Sequence, residues 1–108
     1  MTMTSQVATL RIERDLKQLE NAIDAAIAAQ CMLGQTLMQA RIDTDAPAIS
    51  GHVAMMRLAK AGQSLVAART DAIRAHEDLY KVGVERGDLV TTPKPSSAVE
   101  RFENIVAA

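Results

Sequence analysis

ISGHVAMMRLAKAGQSLVAARTDAIRAHEDLYKVGVE, residues 49–85, is the stretch whose reading decides the fold. Leu58, Leu65, Ala72 and Leu79 recur at seven-residue spacing, and beside them runs a column of small residues: Ala54, Ala61, Ala68, Ala75 and Val82. Leucine at one core position and alanine at the other is the coiled-coil pattern of a helix held close along a partner helix. Pro47 suits the first turn of this helix, where its missing N–H is not needed, with Asp45 or Ala46 as the N-cap, and Ser50 with Gly51 is a later candidate for the start. Gly87 is placed to end it in a left-handed cap, so the pattern predicts a helix over about 47–86.

The partner lies immediately upstream. Thr4 or Ser5 can cap a helix over about 5–42, with Gly34 the only poor helix former inside it. Its two columns are Thr9, Leu16, Ile23, Gln30, Leu37 and Ile12, Leu19, Ala26, Leu33, Ala40. Between Ala22 and Met38 the apolar surface widens beyond what one partner helix can cover. The connection Asp43-Thr44-Asp45-Ala46-Pro47 is rich in turn formers and short, so the helices should fold back antiparallel. A hairpin centred between Asp45 and Ala46 sets Ile23 opposite Ala68, Leu16 opposite Ala75 and Leu37 opposite Ala54. Large faces small in each pair, as close packing requires; Leu33 with Leu58 and Ile12 with Leu79 are the large–large layers, and Gln30 opposite Ala61 is the polar one.

Past the hairpin domain, 1–90, residues 91–96 form a proline-containing linker. Ser97-Ala98-Val99-Glu100 reads as a capping box that opens a short helix over about 97–107. Its apolar face would be Val99, Phe102, Ile105 and Val106, and so short a helix must dock on something.

Composition restricts the function. At 108 residues, 48% hydrophobic but 2% aromatic, the chain suits a single all-α domain built from aliphatic side chains. Twelve basic and 13 acidic residues give a net charge of −1, which argues against a nucleic-acid surface. The most apolar run, Ala22–Leu33, is too short and too interrupted to span a membrane, and Met1–Ser5 is unlike a signal peptide. A cytoplasmic location is the expectation. Cys31 is alone, so there is no intrachain disulfide, and its simplest role is as a small buried hydrophobe.

Few residues carry chemistry. Met55, Gly62, Arg69 and His76 form a column lying between the leucines and an outer apolar column of Ala59, Val66, Ile73 and Tyr80. Arg69 and His76 should find acids on the first helix, with Asp15, Glu20 and Asp24 at about the right height. His76-Glu77 resembles the histidine–acid adjacency of histidine phosphotransfer modules, which are built on dimerising helical hairpins. Those families' His-x-x-Lys-Gly is missing: the position four residues after His76 is Tyr80 and five after it is Lys81. The inner faces lack the clustered Arg and Lys of helical chorismate mutases, and the Trp-x-Gly turn of small secreted hairpins does not occur. With no phosphate loop, metal-ligand spacing or Ser/His/Asp set, no cofactor, metal or catalytic residue is expected.

The sequence therefore predicts an all-α antiparallel hairpin with a short third helix, self-associating as a homodimeric four-helix bundle. The expected function is a non-enzymatic interaction protein with an unidentified protein partner. Its binding residues would be Ala59, Val66, Arg69, Ile73, His76, Tyr80, Val99, Phe102 and Ile105. The alternative is a phosphotransfer-like module using His76.

Overall fold

The computed structural model describes residues 3–85; the expected helix at 97–107, its linker, the cap at Gly87 and the positions Val99, Phe102 and Ile105 lie outside the described residues. Among the described residues there are two helices, α1 (Ser5–Asp43) and α2 (His52–Glu85). The all-α class and the helical hairpin are as the heptads predict, with no strand among the described residues.

Thr4 caps α1: its Oγ1 accepts from the Val7 N–H at 3.2 Å, and its carbonyl accepts the first helical bond from Ala8 at 2.9 Å. At the other end α1 closes in a Schellman turn. The Ala46 N–H reaches the Arg41 carbonyl at 3.1 Å and the Asp45 N–H reaches that of Ile42 at 3.2 Å. Asp45 takes the left-handed conformation this requires, with φ of 52°. The Arg41 guanidinium adds a 3.0 Å bond to the Ala46 carbonyl.

The start of α2 falls at the later of the two expected positions. Pro47 does not open the helix; Ser50 bonds back to the Pro47 carbonyl at 2.9 Å and His52 to that of Ile49 at 3.1 Å, making further turns. The helix begins at His52, after Gly51, whose φ of 75° suits a residue without Cβ and whose carbonyl accepts from Met55 at 2.9 Å.

The chain forms two compact units. One comprises the start of α1, through Glu20, with the end of α2, from Asp71. The other is the hairpin from Asn21 to Thr70, with the turn at its tip. In the turn-containing unit the inward residues of α1 are Ile23, Ala26, Ile27, Gln30, Gly34, Leu37 and Arg41, all half-buried. Opposite them stand Met55, Leu58, Gly62, Leu65 and Ala68. A methyl built on Gly34 would lie 3.7 Å from Leu58 Cδ2 and 3.9 Å from Met55 Cε, and one on Gly62 would lie 3.0 Å from the Gln30 amide. Gln30 Nε2 donates to the Leu58 carbonyl at 3.4 Å. Gly34 with Leu58, Gln30 with Gly62 and Asp24 with Arg69 each meet within two residues of the expected register.

Which columns face inward differs from the sequence reading. Leu58, Leu65 and Ala72 of α2 and the Thr9–Leu37 column of α1 do so, as do Ala68 and Ala26 from the companion columns, but Leu79 and the other companions do not. Ala54, Ala61, Ala75 and Val82 are exposed, as are Ile12, Leu19, Leu33 and Ala40. Met55, Gly62, His76 and Gly83 line the inner side of α2 instead, and Glu13, Glu20, Ile27, Gly34 and Arg41 that of α1. Each helix is turned by about one residue position. Glycine explains part of this, because Gly34 and Gly62 let the opposing side chain come close to the backbone. The Glu20–His76 and Asp24–Arg69 contacts lie on the same side of the pair.

Candidate functional site

In the unit built from the two chain ends, Leu16, Ala72 and Gly83 are buried, and Thr9, Glu13, Glu20, Ile73, His76 and Tyr80 are half-buried. Between the helices runs an open groove of ≈ 400 Å³. Its apolar lining is Ala8, Ile12 and Leu16 from α1, with Leu79, Tyr80 and Val82 from α2. Glu13, Lys17, Glu20 and His76 stand around it. Gly83 also borders the groove and contributes no side chain to fill it. Ile12 and Leu79, which pattern reading sets against each other as a buried large–large layer, are exposed walls of this groove.

The polar column behaves as its chemistry demands. His76 Nδ1 lies 3.3 Å from Glu20 Oε2, with each side chain about a third exposed. Glu20 is about one turn from Asp15, which the expected register sets opposite His76. In the other unit Arg69 Nε donates to Asp24 Oδ1 at 2.8 Å, both groups about half exposed. A pair that open to water contributes ~0–1 kcal/mol and is weakened by salt. No buried polar side-chain atom among the described residues lacks a partner.

Of the nine residues expected to bind a partner, six are among the described residues, three in each unit. His76 and Tyr80 meet at the groove, with Ile73 half-buried in the same unit. Ala59, Val66 and Arg69 belong to the other unit, the first two exposed and the third held by Asp24. The residues that sequence reasoning missed are Ile12, Leu79 and Val82, because it assigned them to the buried seam. The signal that could have found them was the acidic and glycine positions on α1, which match the Met55–Gly62–Arg69–His76 column better than the alanines do.

Cys31 is exposed and its thiol lies 3.6 Å from Gln30 Oε1, so it is not the buried hydrophobe that its solitude suggested. Among the described residues no group of three His, Cys, Asp or Glu side chains could hold a metal ion, and no helix is long and apolar enough to cross a membrane. The chain matches no family model, no curated protein and no solved structure.

Proposed function

We propose that this chain is a non-enzymatic helical interaction protein, an adaptor, regulator, chaperone or assembly factor, that works through self-association and protein binding. One observation carries the reading: sixteen large apolar side chains among the described residues are exposed, against two buried apolar residues. Isolated helices this thinly packed gain little from each other, since tertiary burial supplies most helical stability. A surface so apolar is the mark of an interaction site. A second copy covering Leu33 and Val66, 51% and 54% exposed, would make the four-helix bundle predicted by the sequence.

Sedimentation of the full chain across a range of concentrations tests this. Association that tightens with concentration, and that Val66→Asp or Leu33→Asp weakens while helicity persists, supports it. A chain that stays folded and monomeric at all concentrations would contradict it. The phosphotransfer alternative gains nothing from the geometry of His76, whose Nδ1 is turned toward Glu20 and whose ring is about two-thirds covered. Intact mass after incubation with an acyl-phosphate donor, on wild type and His76→Ala, decides that alternative directly.

A further inference from the structure

We infer that the groove bounded by Ile12, Leu16, Leu79 and Val82 is the docking site of this chain's own segment 97–108, with Phe102 as its anchor. The groove sits at the end of the described chain: Gly83 borders it, and Glu85 is the last described residue of α2. From Glu85 to Val99 the chain can extend ~45 Å at ~3.3 Å per residue. The stretch of α2 along the groove, His76 to Gly83, is only ~10 Å long at 1.5 Å per residue. The linker therefore reaches any part of the groove with slack, and the prolines at 93 and 95 favour the extended form that such a crossing needs.

The chemistry agrees on both sides. Segment 97–108 offers Val99, Phe102, Ile105 and Val106 at helical spacing, an apolar stripe in sequence. The groove offers apolar walls of matching kind, and a phenylalanine ring buries ~150–250 Å² when enclosed. Charges complement as well: Arg101 lies beside the anchor, and Glu13 and Glu20 stand around the groove, while Lys17 can meet Glu100 or Glu103. Tethering raises the local concentration of the segment to about millimolar, which a second copy reaches only when concentrated. The tethered segment is thus the occupant at dilution.

Phe102 is the chain's single phenylalanine, so its ring protons are an unambiguous probe. The test is NMR on the full-length chain, reading contacts from the Phe102 ring to the methyls of Ile12, Leu79 and Val82. A mixture of labelled and unlabelled chains separates contacts within a chain from contacts between chains. The expected result is contact within one chain, ring-current shifts of those methyls that vanish in Phe102→Leu, and amide exchange at 76–83 that rises roughly tenfold or more in Phe102→Ser. Contacts found only between chains would overturn the inference in favour of a second copy. Ring protons without any groove contact, or methyl shifts unchanged in Phe102→Leu, would overturn it outright. None of these readings depends on whether the hairpin dimerises.

Discussion

Replacing Gly34 with alanine should stabilise the protein, and the size of the gain follows from two terms. Glycine within a helix is about 1 kcal/mol less favourable than alanine, and Gly34 lies deep inside α1. The added methyl would sit 3.7 Å from Leu58 Cδ2 and 3.9 Å from Met55 Cε, ordinary contact distances at which nothing must move. A fully buried methylene contributes about 0.8 kcal/mol, and this half-buried site should return under half of that. The sum is about 1–1.5 kcal/mol. With an unfolding entropy of ~2.1 cal/mol/K per residue, that raises Tm by about 4–6 °C. Thermal and urea unfolding followed by circular dichroism measure it, with variant and wild type at equal protein concentration so that any assembly contributes alike. A lower midpoint for Gly34→Ala would refute the reasoning, because it would mean that the helices need the bare backbone there.

Gly62→Ala should give a smaller change, within about 0.5 kcal/mol of zero: the same propensity gain is offset by displacing the Gln30 amide, 3.0 Å from the new methyl, and losing its long bond to Leu58. A double-mutant cycle with Gln30→Ala should show coupling between the two sites, and strict additivity would count against that contact. Asp45→Gly should raise the urea midpoint by the equivalent of about 0.5 kcal/mol, since glycine adopts the left-handed cap without the steric cost borne by Asp45 at φ 52°. Arg69→Ala should cost less than about 1 kcal/mol, and that cost should shrink in high salt, because the Arg69–Asp24 pair is about half exposed. A large, salt-independent loss would mean that Arg69 acts through its aliphatic stem.

Much of the hairpin was legible in the sequence, for a definite reason. Seven-residue spacing of Leu58, Leu65 and Leu79 and of Leu16, Ile23 and Leu37 specifies two helices, and the turn formers after Ile42 specify a fold-back. The register came out close in the turn-containing unit because alternation of large and small residues allows few alignments. What pattern reading could not assign was the companion column on each helix. Apolar periodicity records every surface that becomes covered, whatever covers it, and so it carries no label for the neighbour. Ile12, Leu19 and Leu33 look like seam residues because they are leucine-like at the right interval, yet they lie outside the hairpin's own contact. The polar contacts across the pair, Glu20 with His76 and Asp24 with Arg69, are invisible to a hydrophobic template and were legible only as the expectation that Arg69 and His76 find acids among Asp15, Glu20 and Asp24. The start of α2 falls at the later candidate, Ser50 with Gly51, and not at Pro47, for a local reason, the run of tight turns from Pro47 to Gly51.

The Gln30–Gly62 contact also limits how the turn-containing unit can deform. Gln30 fits over a position with no side chain, while Asp24 is tied to Arg69 farther along the same pair. Sliding α2 by one heptad in either direction would bring Met55 or Arg69, both long, over Gln30. It would also leave Asp24 facing Gly62 or His76 in place of its arginine. The polar layer thus works as a mechanical stop against shear. Motions left to this pair are bending and separation of the helices, about the turn that Asp45 and Gly51 hold in shape.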